Sequence, residues 1–345
     1  MLTMDVFKQD AFSATTLTAA VDKVGYVPGF LGAMPDLFVP PPLGQPRTPD
    51  VYIESRGTEA ALIQTSPRGS PPDQKGGDDA SREARAFRTR RLAQSSRINA
   101  SELQSIRQFG SETELQQLQT QVARRQFLIR RDFELTMENM RLGAVQGLTA
   151  DADGTTIYNW ATEFGQTIPA EVDFDLDAAS PAAGILRTRC TAAVRSITRG
   201  LKGMGGNAVK VMAICGDDFW DLLIAHPEVR ATYLAYAAAA TLRDPVAWET
   251  FNFGGITWTN YRGTDDGSTV AVGAAKAKFF PVGAGIFQAA FAPAERFEFV
   301  NTPGQPSYSW IVMDPLRDMW ADVEVYSYPL LVCTMPQALY RAKMT

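Results

Sequence analysis

The sequence predicts an α+β protein in which a long helix and a C-terminal sheet flank an inserted α/β unit, preceded by an extended arm and a protruding hairpin. Three observations carry that expectation. The first 50 residues are broken by Pro28, Pro35, Pro40, Pro41, Pro42, Pro46 and Pro49, each of which removes a backbone donor. Residues 111–142 contain neither glycine nor proline and keep one apolar face. After residue 181, helical and strand-like patterns alternate, and alternating strands close the chain.

The arm, residues 1–46, holds at most one short helix, near Leu17 to Val24. Having little core of its own, it must lie on something else, another subunit being one candidate. Residues 47–98 read as an extended hairpin loop. Val51 to Glu54 and Ala60 to Thr65 are strands around Arg56-Gly57, Pro67 to Asp79 is a Gly/Pro-rich tip, and Arg85 to Leu92 returns as a strand.

Residues 99–177 carry the strongest pattern. Ser111-Glu-Thr-Glu114 is a capping box, and Gly110 and Gly143 bracket the helix that follows. Leu115, Leu118, Val122, Ile129, Phe133, Met137 and Met140 form its apolar face. Arg125 interrupts a coiled-coil seam, so the expectation is a spine lying across a sheet. Thr155 to Trp160 and Thr167 to Phe174 read as a second hairpin.

In residues 178–295, Pro181 to Leu201 is an amphipathic helix, Val209 to Ile214 a strand and Asp217 to Ile224 a helix. Ile256 to Asn260, Val270 to Val272, Lys278 to Pro281 and Phe287 to Phe291 read as further strands. Residues 296–345 hold the alternating strand Asp322 to Tyr328 and the apolar run Leu330 to Cys333.

Charge is distributed unevenly. The net charge is −5, yet residues 82–131 hold eleven arginines, no lysine and four acids, a local +7 that leaves −12 elsewhere. Residues 150–180 hold seven acids and no base. Separate territories of opposite sign suit contact between copies, and the planar arginine fork suits carboxylates. A solvated, internally salt-bridged surface is the plain alternative.

Catalytic chemistry finds little support. His226 is the single histidine, which excludes sites needing two imidazoles, and its cation is expected to offset a helix C-terminal dipole. Cys190, Cys215 and Cys333 form no CxxC pair and read as buried, inert thiols of a chain folded in a reducing cytoplasm. Gly203-Met-Gly205-Gly-Asn-Ala208 fits a dinucleotide fingerprint only in letters, because a helix precedes it and a strand follows. Asp151-Ala-Asp153-Gly154 has its glycine at the wrong place for a calcium loop. Asp173, Asp175 and Asp177 read as a solvated or arginine-paired edge strand. No cofactor, metal or membrane span is expected. The arginine stretch lacks a recognition motif, leaving only nonspecific nucleic-acid contact.

A resemblance adds to this. Leu17-Thr-Ala-Ala20, Val27-Pro-Gly29, Leu31-Gly32 and Phe38 resemble the opening segment of the lambda-like capsid E family of tailed-bacteriophage major capsid proteins. Val51-Tyr-Ile-Glu54, Leu62-Ile63 and Arg68-Gly-Ser-Pro71 resemble its first strands and hairpin turn. Phe253-Gly-Gly-Ile256 to Tyr261-Arg-Gly263, Phe280-Pro-Val-Gly283, Ala292-Pro-Ala294, Asn301-Thr-Pro-Gly304 and Ser327-Tyr-Pro329-Leu330 to Pro336 continue the likeness in order. Glu295 departs from the expected aspartate but keeps its charge.

The resemblance implies a Hong Kong 97-like fold and a non-enzymatic role. Copies would assemble as hexamers and pentamers into an icosahedral shell around double-stranded DNA, the virion capsid, built in the host bacterial cytoplasm. The hairpin would be the extended loop reaching over a neighbour. The spine and C-terminal strands would be the peripheral domain, and residues 178–295 the axial domain. Scaffolding, portal and decoration proteins are the implied partners, besides nonspecific contact with packaged DNA. Arg85, Arg88, Arg90 and Arg91 are expected to pair with carboxylates of an adjacent subunit, with Arg68 and Lys75 in the contacting loop. Some shells of this fold carry a Lys–Asn cross-link, and Lys75 is the only lysine between Lys23 and Lys202; a separate decoration protein is the stronger expectation. The rivals are an encapsulin-like compartment and a cytosolic enzyme or DNA-binding protein with an unrecognised site.

Overall fold

The computed structural model describes residues 29–55, 83–105, 114–206, 209–235, 250–264, 270–317 and 319–345. The helix expected near Leu17 to Val24, the strand Ala60 to Thr65, the hairpin tip with Arg68 and Lys75, and the capping-box side chains lie outside these.

The spine helix organises one half of the molecule. It is α3, Glu114–Gln146, preceded by α1 (Phe30–Ala33) and α2 (Ala100–Ser105). Val122, Ile129, Phe133, Met137 and Met140 are all buried, as their spacing predicts. Ile129, Phe133, Met137 and Met140 pack on an antiparallel sheet of β4 (Leu92–Asn99), β14 (Trp320–Ser327) and β13 (Tyr308–Met313), and on β15 (Pro329–Cys333). Strand β14 alternates strictly, with Ala321, Val323, Val325 and Ser327 buried towards the helix. Gln126 sits within the buried face because its amide donates to Ser309 Oγ at 3.0 Å.

Gly143 does not end the helix as expected. The helix continues to Gln146 and turns at Gly147, whose φ is +81°. Gly143 is needed for close approach instead: a Cβ there would lie 2.5 Å from the Leu148 carbonyl oxygen. That approach lets β5 (Leu148–Ala150) fold back beside the helix.

The second hairpin also differs. Strand β6 (Thr156–Asn159) pairs with β5, and Trp160 opens α4 (Trp160–Glu163), where the Asn159 side chain accepts from Thr162 N–H. Of the expected strand Thr167 to Phe174, only β7 (Val172–Asp173) forms, and it pairs with the chain's last strand, β16 (Tyr340–Lys343). Asp175 leaves the strand at φ +52° and binds Arg189 at 2.7 Å, the arginine-paired outcome in a turn.

The inserted unit is built on a six-stranded mixed sheet, ordered β7-β16-β11-β8-β10-β9. Its strands β8 (Lys210–Cys215), β9 (Thr250–Phe253), β10 (Ile256–Asn260) and β11 (Lys276–Val282) come from the insertion, while β7 and β16 come from either side of it. Helices α5 (Ile185–Gly200), α6 (Asp217–Ala225) and α7 (Pro227–Ala235) accompany them. Residues 270–272 are not a strand; Val270 instead closes a turn with Thr264. The core is aromatic: Trp258, fully buried, contacts Phe219, Phe174 and Phe279 at centroid distances of 6.1, 6.2 and 5.2 Å. A small sheet, β1 (Phe38–Val39), β12 (Phe287–Phe291) and β15, joins the arm to both halves.

Candidate subunit interface

The protruding hairpin begins as a two-stranded ribbon, β2 (Asp50–Ser55) against β3 (Glu83–Arg88), with Val51 opposite Phe87 and Tyr52 opposite Ala86. Its inner side buries Val51, Ile53 and Phe87. Phe87 meets Trp160 at 5.3 Å, Phe164 at 5.6 Å and Tyr158 at 5.7 Å. The Tyr158 hydroxyl donates to the Arg88 carbonyl at 2.8 Å and accepts from Arg88 N–H at 3.1 Å. Thr89 N–H and Oγ1 both donate to the Pro49 carbonyl at 3.0 Å. The root is therefore clamped, while its outer side, with Tyr52 63% exposed, is uncovered. A ribbon of two strands is marginal alone, so a surface that covers it has something to stabilise.

The arginines expected to reach a neighbour cluster at this root. Arg85 is half-buried opposite Ile53, and Arg88, Arg90 and Arg91 are exposed. The Arg90 guanidinium lies 5.7 Å from the Tyr158 ring centroid. That of Arg91 lies 5.0 Å from Tyr326 and 3.9 Å from the Glu295 carboxylate of its own chain. Arg97, Arg125, Arg130 and Arg131 pair within the chain, with Asp322, Glu102, Glu134 and Asp132. Part of the basic territory is thus spent internally; of the exposed remainder among the described residues, Arg88, Arg90 and Arg91 sit at the hairpin root and Arg124 on α3.

Next to that root, the side of the β4–β14–β13 sheet facing away from α3 carries an ordered aromatic and charged surface. Tyr326 stacks on Trp310 at 4.3 Å and 18°. Arg91 lies over Tyr326, and Arg296 lies 4.8 Å from the Trp310 centroid, so two guanidinium planes bracket two rings. Glu324 holds both rings, accepting from Trp310 Nε1 at 2.7 Å and from the Tyr326 hydroxyl at 2.8 Å. Arg97 forks onto Asp322 with two 2.8 Å bonds and lies 4.0 Å from Trp320. Around this face Phe297 is fully exposed and Leu316 is 89% exposed. Sequence reasoning missed Trp310, a buried ring that anchors this face through Tyr326 and Glu324. The available signal was the outward set Trp320, Asp322, Glu324 and Tyr326 of the alternating strand.

Glu138 was missed as well. It is 4% exposed and accepts from Leu31 N–H at 2.7 Å, Gly32 N–H at 3.1 Å, the Tyr261 hydroxyl at 3.1 Å and Arg141 at 3.4 Å. One carboxylate thus ties the end of the arm, the spine helix and the inserted unit. Burial, with the Glu138 charge beside it, raises the Tyr261 pKa.

Most of the remaining chemistry-bearing residues have structural partners, though His226 Nε2 is buried without one among the described residues. His226 does not act as a cation on the helix end. Burial lowers its pKa, and Nδ1 accepts from Glu228 N–H at 3.3 Å, which places the neutral ring's proton on Nε2. A histidine neutral in the fold but free to charge when unfolded costs stability as pH falls below its ordinary value near 6.5. Between pH 7 and 5 the wild type should therefore lose more stability than His226→Gln, read as urea midpoints at each pH; equal losses would remove the histidine from the account.

The three cysteines are free and buried, and burial pushes Cys190 and Cys333 up to about 12. Gly203 and Gly205 take positive φ in the turn after α5, a helix end and not a phosphate cradle. Asp151 and Asp153 close the β5–β6 turn by binding their own backbone. A cleft of about 500 Å³ beside Gln166 and Ile168 contains Lys278, paired with Glu171, and Arg341, bound to the Pro169 carbonyl. Among the described residues no His, Cys, Asp or Glu group is placed to hold a metal, and no helix is long and apolar enough to cross a membrane.

Comparison with known proteins turns this geometry into a family assignment. The family model described as "Phage major capsid protein E" matches residues 13–344. The major capsid protein of Pseudomonas phage KPP10 is 30% identical over 285 residues, covering 74% of this chain and 79% of that protein. The major capsid protein of Salmonella phage Felix O1 is 27% identical over 278 residues, covering 70% and 73%. Among solved structures, the capsid asymmetric unit of Cyanophage A-1(L) aligns with a TM-score of 0.54 at 10% identity, over 93% of this chain and 94% of that one. That likeness is one of fold, the Hong Kong 97-like capsid fold. The match along nearly the whole chain excludes the enzyme reading, since this family is structural. The chain belongs to the phage major capsid protein E family, the head-shell proteins of tailed phages.

Proposed function

We propose that copies of this chain assemble as hexamers and pentamers into an icosahedral shell enclosing double-stranded DNA, built in the host bacterial cytoplasm. Each hairpin lies over the outward face of a neighbour's β4–β14–β13 sheet. The observation that supports this is the meeting on one chain of a ribbon too thin to stand alone and a sheet face whose Trp310–Tyr326 stack is held by Glu324 and topped by Arg91 and Arg296, with Phe297 fully exposed next to Arg296. Such a head-to-tail contact uses two different patches, so it closes into rings when the rotation allows. Arg88 and Arg90, exposed at the root, and Arg85 and Arg91 beside them meet carboxylates of the adjacent subunit; Arg68 and Lys75 belong to the loop that reaches over it. Residues 178–295 meet their symmetry mates at the capsomer centre. Scaffolding, portal and decoration proteins complete the particle, and contact with the packaged DNA is nonspecific.

Charge reversal tests the contact. Arg85, Arg88, Arg90 and Arg91 together changed to Glu should cut particle yield at least about tenfold, because each shell repeats the weakened contact many times. Subunit solubility and far-UV circular dichroism should stay as in the wild type. Unchanged yield would remove these four arginines from the contact.

A further inference from the structure

The side of α3 facing away from the sheet carries Phe127, Leu128 and Leu135, 41%, 39% and 38% exposed, with exposed Arg124 and Arg131 between them. At about 100° per residue these five fall on one side of the helix, opposite Ile129 and Met140. Glu138 falls on that same side, three residues beyond Leu135, and there the surface is already occupied. Helix α1 sits on it, with Leu31 and Gly32 N–H donating to the Glu138 carboxylate. Gly29, just before α1, is close enough that a Cβ on it would lie 3.3 Å from Glu138 Oε2. The chain therefore arrives on the spine helix at the C-terminal end of the uncovered stripe, and α1 blocks the surface over Arg141 beyond it.

We propose that residues 17–24 of the same chain cover this stripe. Leu17, Ala20, Val21 and Val24 recur at helical spacing, giving an apolar edge eight residues long, about 12 Å. The stripe from Phe127 to Leu135 spans about 12 Å by the same rise. The five steps from Val24 to Gly29 reach at most ~17 Å, enough to seat Val24 beside Leu135 and too few to reach a distant surface. Read backwards from Gly29, the arm then follows α3 towards its N-terminus, with Val21 near Arg131 and Leu17 near Phe127. The family match begins at residue 13, so this segment lies within the family's shared length.

A cysteine pair in the full chain, Val21→Cys with Arg131→Cys, tests it under mild oxidation; the native cysteines are buried and give little background. The expected product has monomer mass, migrates faster without reductant and reverts with it. A control pair, Val21→Cys with Ser95→Cys on the exposed strand β4, stays reduced. Reductant-sensitive dimers or ladders would overturn the proposal and assign the stripe to a neighbour's arm. Two reduced thiols open to alkylation would overturn it too, leaving the stripe to scaffold or DNA. A second reading needs no cysteine. Leu128→Asp should speed tryptic cleavage after Lys23 about tenfold at unchanged melting temperature, because cleavage follows the undocked population. Equal rates in wild type and variant would overturn the proposal.

Discussion

Glu138→Ala should lower the stability of the unassembled subunit by about 3–5 kcal/mol, the usual cost of breaking a buried charged pair from one side. The carboxylate is 4% exposed and is the shared acceptor of four donors from three parts of the chain. Its loss strands Leu31 and Gly32 N–H at the start of α1, where a negative group is favoured by the helix end. It also leaves the Tyr261 hydroxyl without its acceptor and, among the described residues, Arg141 with Glu134 at 3.6 Å. Glu138→Gln keeps the shape and one accepting oxygen, so it should lose less. Urea denaturation of both variants reads the effect. A loss below about 1 kcal/mol for alanine, no more than an ordinary neutral hydrogen bond, would show that this junction does not hold the arm.

Trp258→Ala should cost a comparable ~3–5 kcal/mol, the range for emptying a buried aromatic site. Trp258 is fully buried on β10, its indole N–H donates to the Phe253 carbonyl at 3.1 Å, and Phe219, Phe174 and Phe279 surround it. These rings come from α6, the segment after β7, and β11, so the cavity would loosen the whole inserted unit. Trp258→Phe should recover most of the loss. If alanine lowered the denaturation midpoint no more than a surface substitution does, this cluster would not be the core of that unit.

How far the sequence could be read follows from how local each signal was. The spine helix was legible because its apolar spacing repeats over many turns, and Val122, Ile129, Phe133, Met137 and Met140 are buried in the structure. The strands Ile256 to Asn260 and Phe287 to Phe291 were legible to the residue, being apolar runs bounded by turn residues. Gly143 misled because a glycine that ends a helix and one that admits a neighbouring strand look alike in sequence. The second hairpin misled for a related reason. Thr156 to Asn159 and Val172 to Asp173 are strands, but their partners are Leu148 to Ala150 and the C-terminal Ala342 to Lys343, and local pattern does not encode a distant partner.

The proposed contact surface was half legible. Arginine density marked the hairpin root, yet Arg97, Arg125 and Arg130 turn out to be spoken for by their own chain. Glu138 could not have been found, because it sits on the helix side that reads as solvated. Its burial comes from partners distant in sequence, Leu31 and Gly32 from the arm and Tyr261 from the inserted unit. Trp310 and Tyr326 needed the β13–β14 register to be seen as one stack.

The central claim is that this chain's work is contact between its own copies. Electron microscopy of the purified, overexpressed protein tests it most directly: closed shells or rings of capsomer size are the predicted result, and a field of small discrete oligomers alone would contradict it.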